Sequence, residues 1–410
     1  MQLKDNKIVR NTTMLYILNI AKIVFPLITL PYLTRVLSVP CYGVVSYVKA
    51  IMQYMQLIVD FGFLLSGTKD IVRAGDDNDR IDHEVGNIFF ARLILAVIAF
   101  LVLCIVSPLI KILRENFLFT LLSYVVVALT ALLMDYYFRG IERMEIITIR
   151  FVVMRGIATA LTFLFVHSDK DILWIPIIDS IGTIVAIILV WIELLKFNVH
   201  IKFDGIRAAI QKLKDSWIYF FSNMATTAFN ALNTVLIGVY INEADVAFWS
   251  LCMQLIGAVQ SFYTPLTNGI YPQMVRTRKR SLIQKMMIIF MPIVVVGCII
   301  TFFVAKYVLL IVGGEKYVDA EYLLRLLIPV LFFSFPSMLY GWPTLGAIEK
   351  QKETTMTTII SAVFQVTMIL LLIVFDRFDL VSVAILRGCT EAVLLALRFG
   401  TYWKYRAEFT

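Results

Sequence analysis

Apolar residues run in blocks of about 20 along nearly the whole chain, and charged or turn-forming residues gather into short clusters between them. A helix rises 1.5 Å per residue, so about 20 apolar residues are needed to cross roughly 30 Å of hydrocarbon. Cut at its polar clusters, the chain predicts about twelve spans, near 14–34, 43–66, 86–108, 117–138, 146–166, 172–195, 217–240, 246–270, 286–311, 322–345, 355–376 and 380–403. Several connections are shorter than about ten residues, which leaves no room for a separate soluble domain. The fold class expected is therefore an all-α polytopic membrane protein, because helices satisfy their own backbone groups in lipid.

The polar positions inside the blocks are themselves patterned. Ser46, Lys49, Gln53, Gln56 and Asp60 follow steps of three and four, which places them on one helix face. Asn19, Lys22 and Thr29 share a face of the first span, and Asn223, Thr227, Asn230 and Thr234 share one of the seventh. In the eighth span Ser250, Gln254, Ser261, Thr264 and Asn268 do the same. Single hydroxyls and amides also serve as links between helices, but a stripe carrying both Lys49 and Asp60, about 16 Å apart along the helix, points to water or a charged ligand. An offset of 204 aligns Asn19 with Asn223, Ala21 with Ala225, Phe25 with Phe229, Ser46 with Ser250 and Gln56 with Gln260. Six helices separate the copies, as a parallel pseudo-twofold repeat of two six-helix lobes requires. The lobes are expected at residues 1–196 and 217–410. They are joined by a cytoplasmic linker, 197–216, in which Ile206, Ile210, Leu213 and Trp217 recur at helical spacing beside Arg207, Lys212 and Lys214.

Composition sharpens this picture. Of 410 residues, 60% are hydrophobic and 16% charged, and mean hydropathy is +0.84, which excludes a water-soluble globule. The net charge of +8 reflects cationic loops and not a nucleic-acid surface. The termini and every second loop carry about 22 of the lysines and arginines outside the spans, against about 6 in the intervening loops, so both termini are expected in the cytoplasm. The first apolar block reads as a spanning helix and not a cleaved leader. Cys41, Cys104, Cys252, Cys298 and Cys389 form no CxxC pair and read as packing residues. No phosphate-binding glycine loop, HExxH or GxSxG string occurs, and His83, His167 and His200 are scattered in loops. The expectation is a transporter, not an enzyme, without a cofactor and driven by a gradient of protons or sodium ions.

Charges within the spans locate the candidate site. Arg150, Lys306, Arg325 and Arg398 lie near span ends, where long side chains reach the interface. Arg387 and Glu391 are spaced to pair within one turn. Lys22, Lys49, Arg92 and Arg155 lie deeper and have no acid three or four residues away, which predicts an anionic ligand of the phosphate or pyrophosphate class. Asn19, Gln53, Gln56, Asn223, Thr227, Asn230 and Gln254 are the expected sugar-facing or cavity-lining residues. Asp60, Asp179 and Glu391 are candidates for coupling or gating, with Asp135 assigned to a cytoplasmic span end.

Specific strings then resemble a known family. Phe25-Pro26-Leu27-Ile28-Thr29-Leu30-Pro31-Tyr32-Leu33-Thr34-Arg35-Val36-Leu37, Tyr42-Gly43 and Asp60-Phe61-Gly62-Phe63 resemble the opening of bacterial polysaccharide flippases of the Wzx/RfbX type. Tyr137-Phe138-Arg139-Gly140-Ile141-Glu142-Arg143-Met144 is similar to another stretch of that family, with Arg139 where glutamine is usual. The resemblance implies a fold of the multidrug/oligosaccharidyl-lipid/polysaccharide exporter superfamily, in the bacterial inner membrane. It also implies movement of undecaprenyl-pyrophosphate-linked O-antigen or capsule repeat units to the outer leaflet by alternating access, coupled to a cation. Membrane lipid, a polysaccharide polymerase and chain-length machinery are the partners it implies. Two alternatives share parts of the pattern: a multidrug or metabolite antiporter of the same fold, and a polytopic polymerase or ligase, whose large outer loop is missing from the sequence pattern.

Overall fold

A computed structural model describes the backbone of residues 2–409 and their side chains except those of residues 2–9, 222, 225, 226, 228–230 and 268. The described residues form helices and connecting turns, with no strand among them. The chain divides into two compact units, Met1–Thr227 and Ala228–Thr410. The first contains α1 (Gln2–Val36), α2 (Val39–Asp60), α3 (Phe63–Ala74), α4 (Asn78–Val106), α5 (Lys111–Glu115), α6 (Phe117–Thr130), α7 (Asp135–Gly140), α8 (Met144–Phe165) and α9 (Trp174–Lys196). The boundary falls within α10 (Ile206–Tyr240), and the second unit continues with α11 (Glu243–Thr277), α12 (Arg280–Gly313), α13 (Glu321–Leu339), α14 (Gln351–Val374) and α15 (Leu380–Lys404).

Eleven stretches among the described residues are long and apolar enough to cross a membrane. The twelfth expected span, 217–240, lies in α10, where the described residues leave Ala231–Tyr240 as a shorter apolar helix. The internal repeat reaches the level of helix ends. Both α1 and α10 contain 35 residues; α1 ends at Val36 and α10 at Tyr240, and α2 starts at Val39 and α11 at Glu243, each 204 positions apart. Even the caps recur: Ser38 Oγ accepts from the Cys41 amide at 3.3 Å, and Asn242 Oδ1 from the Asp245 amide at 2.9 Å. Each supplies one of the orphan donors at a helix start with an acceptor.

Two local features of the first unit shape its candidate site. The Asp60-Phe61-Gly62-Phe63 string is a helix break, with Phe61 at φ 40° and Gly62 at φ 82° both left-handed. It ends α2 at Asp60 and starts α3 in a new direction, and Phe61 stacks on Phe220 of α10 with ring centroids 4.4 Å apart. The segment 197–216 is not a free strap, since it docks on α3 and α4. Lys202 N donates to Asp82 O at 3.3 Å, Asp204 N to Asn87 Oδ1 at 3.0 Å, and Lys212 Nζ contacts Asp70 at 2.8 Å and also Glu84. Ile206, Ile210 and Trp217 remain exposed on the helix that follows, so its apolar face is left for a nonpolar surface.

Candidate functional site

The stripe on α2 is where the site begins. Lys49 and Gln53 are exposed, Gln56 and Asp60 are partly buried, and Ser46 is buried. Gln56 Nε2 donates to Thr130 Oγ1 of α6 at 3.0 Å, so this residue links the two helices. Asp60, delivered by the helix break, receives Arg92 Nη2 of α4 at 2.8 Å. The same guanidinium donates to Thr130 O at 3.0 Å, which also accepts the Leu133 amide, and to Leu133 O, both in the turn that ends α6. Arg92 is 6% exposed and paired with Asp60, which corrects the expectation of a cation without an acid. The partner lies 32 residues away, beyond anything helical spacing reveals.

The other arginines follow the same rule. Arg155 Nη1 of α8 lies 3.2 Å from Asp179 Oδ1 of α9, so it also has an acid, although its side chain is 45% exposed. Arg150 does not reach for the interface: it is buried and forms a two-pronged pair with Asp135, Nε to Oδ1 at 2.9 Å and Nη2 to Oδ2. Arg325 lies 3.5 Å from Glu321 and donates from Nε to Phe302 O at 3.1 Å. Arg387 pairs with Glu391 at 2.9 Å, both buried, as their spacing predicts. Arg398 is likewise turned inward, donating to Ser337 O at 2.8 Å and Thr358 Oγ1 at 3.2 Å, and has no acid in contact among the described residues. The three acids expected to couple or gate, Asp60, Asp179 and Glu391, are thus each held by an arginine.

Lys22 and Lys49 differ from these arginines. Both are exposed, and neither has a hydrogen bond or ion pair among the described residues. Asp179 and Arg155 are the charged groups whose field reaches Lys49 of α2. Lys22 Nζ sits 5.9 Å from the Phe151 ring centroid, and Arg155 Cζ lies 6.0 Å from the same ring. One aromatic residue of α8 therefore joins Lys22 to the Lys49–Arg155–Asp179 group. The result is three cations and one carboxylate on four helices of one unit, a net positive surface able to hold an anion. Asn19 is exposed on α1, three residues before Lys22. Of the expected lining residues elsewhere, Asn223 and Thr227 are partly buried and Gln254 is exposed, while Asn230 and Asn268 lie outside the described side chains.

Known proteins match this architecture. Two curated relatives, from Shigella dysenteriae and Escherichia coli strain K12, bear the name "Putative O-antigen transporter". The first is 26% identical over 81% of this chain and 85% of its own, the second 24% identical over 95% of each. Among solved structures, the fold is similar to the lipid II flippase MurJ in an inward closed conformation, with a TM-score of 0.69 at 12% identity over 96% of this chain and 87% of that one. It is also similar to an inward-facing multidrug resistance MATE family transporter of the MOP superfamily, with a TM-score of 0.65 at 14% identity over 95% and 94%. Residues 8–278 match the family described as "Polysaccharide biosynthesis protein", and the chain belongs to that family.

Proposed function

We propose that the protein is a flippase of the bacterial inner membrane that moves undecaprenyl-pyrophosphate-linked oligosaccharide repeat units to the outer leaflet, and that Lys49, Arg155 and Lys22 hold the pyrophosphate. The observation that carries this reading is the pair of exposed intramembrane lysines without an acid partner. A cation at mid-membrane costs about 2.5–3.5 kcal/mol on insertion scales, so two unpaired lysines beside an accessible arginine call for an anion or water. The names of the curated relatives support an oligosaccharide cargo, and the fold supports transport.

Asp179 gives the site a way to exchange. Its single 3.2 Å contact to a half-exposed arginine is the kind of pair that contributes about 1 kcal/mol or less. A pyrophosphate carries more charge and can take both prongs of the guanidinium, so it displaces the carboxylate. Asp179, once released, is the group that takes up the coupling proton or sodium ion.

The test replaces the chromosomal gene by Lys49→Gln, Lys22→Gln and Arg155→Gln variants, and measures membrane abundance together with lipid-linked repeat units on each leaflet. Normal abundance with repeat units held on the cytoplasmic face is expected. Full export per molecule in all three would refute the site, and full export after deletion of the gene would refute the function.

A further inference from the structure

The second unit contains a cavity of about 310 Å³ among α11, α13 and α15, at the lower end of the roughly 300–1,000 Å³ typical of small-molecule sites. Its charges do not balance. Arg387 and Glu391 neutralise each other at 2.9 Å, but Arg398, on the same wall, is held only by a carbonyl and a hydroxyl. Arg398 is the one arginine of the six within the expected spans that has no acid in contact among the described residues, and its buried Nε, like that of Arg92, has no acceptor among them. The guanidinium lines the cavity with its charge unmatched by a carboxylate in contact, which suits an anionic group.

The uncharged lining adds a second constraint. Ser261 donates its hydroxyl proton to Gly257 O at 2.8 Å, Ser334 to Leu331 O at 3.2 Å and Ser337 to Ser334 O at 3.2 Å. With these protons committed to helix carbonyls, the three oxygens can only accept from a ligand. An oxyanion alone would meet three acceptors and be repelled by them. A ligand that carries an anionic group at one end and hydroxyl donors at the other satisfies both sets.

We infer that this cavity binds a single acidic sugar residue of the uronic acid type, its carboxylate on Arg398 and its hydroxyls on the serine oxygens, with Gln260 of α11 also in the lining. The inference concerns the second unit alone and does not depend on the pyrophosphate site of the first.

The test uses the full chain in lipid nanodiscs and ligand-observed NMR titrations with glucuronate, glucose and inorganic phosphate. Saturable glucuronate binding is expected, at least tenfold tighter than either of the others, and weakened at least tenfold by Arg398→Gln. Gln260→Leu, which leaves Arg398 in place, is expected to weaken it severalfold and serves if Arg398→Gln does not fold. Phosphate binding as tightly as glucuronate would overturn the sugar, and glucose doing so would overturn the anionic contact. The absence of saturable glucuronate binding, or affinity unchanged in the folded variants, would overturn the site.

Discussion

At the scale of single residues, the intramembrane cations divide by chemistry. Arginines use their fixed fork to bridge helices through acids and backbone carbonyls, and Arg92 does this with Asp60, Thr130 O and Leu133 O around one guanidinium. The Asp60 side chain is 43% exposed and can be solvated, so what Arg92 contributes is chiefly its charged hydrogen bonds from a buried position, typically about 1.5–3 kcal/mol each. Arg92→Gln is therefore expected to reduce thermal stability and membrane abundance. Lys49→Gln should leave both unchanged while reducing export. Melting temperature and abundance of the purified and membrane forms check the contrast; a stable Arg92→Gln protein would remove the structural role given to that residue. For Asp60 the same geometry predicts that Asp60→Asn lowers abundance and leaves the pH and sodium dependence of export per molecule unchanged, which a transport assay across pH decides.

At the scale of elements, the docked segment 200–204 shows how tightly the first unit holds the chain that leaves it. A Cβ on Gly86 of α4 would lie 1.9 Å from the Lys202 carbonyl oxygen, so only glycine lets the segment cross. Gly86→Ala should displace it and destabilise the unit by about 1–3 kcal/mol, the usual effect of overpacking. The charges around the crossing add a pH dependence. The hydrogen bond from Asn87, with His83 Nδ1 2.7 Å away, holds the Asp204 carboxyl below its ordinary value, and Lys202 does the same for Asp79, with Nζ 2.5 Å from its carboxylate. Those carboxylates contribute above the ordinary carboxylate range and lose their contribution as pH falls through their lowered values. Lys202, raised mainly by Asp79, contributes below the ordinary lysine value and loses it as pH rises through the raised one. Amide protection at Lys202 and Asp204 should therefore hold from about pH 5 to about pH 9 and fall at either extreme, measurable by hydrogen exchange.

The same scale shows what the chain discloses in advance. Spans, the 204-residue repeat and the Arg387–Glu391 pair are legible because each depends on local periodicity: helix length in lipid, helix boundaries, and one turn of spacing. The pairs Arg92–Asp60, Arg155–Asp179 and Arg150–Asp135 are not, since their partners lie 32, 24 and 15 residues apart and meet only when different helices pack. Reading cations and acids separately therefore overstates the number of free charges. Among the described residues Lys22 and Lys49 have no acid in contact, and Arg398 joins them from a position that looked interfacial.

At the scale of the whole molecule, the distribution of loop charge carries the orientation. The junction of α11 and α12 carries Arg276 in the last turn of α11, Arg278 and Lys279 between the helices, and Arg280 and Lys285 at the start of α12, whereas the loop between α8 and α9 has Lys170 as its only lysine or arginine, beside Asp169 and Asp171. Translocating lysine and arginine in short loops is disfavoured, so the junction should stay in the cytoplasm with both termini and the α8–α9 loop should face outward. The check is cysteine labelling in intact cells with a membrane-impermeant maleimide. The five native cysteines must be replaced first, because Cys41 sits three residues after Ser38, whose amide is bonded to Asp169 in the very loop under test, at 2.7 Å. In that background Lys170→Cys should label in intact cells and Lys279→Cys only after the membrane is opened. Labelling of Lys279→Cys from outside would invert the molecule, and with it the leaflet from which Lys22 is first reached, since the charged groups acting on Lys22 are Asp135, Arg150 and Arg139, at the same end of the first unit as the docked segment 197–216 in the expected topology.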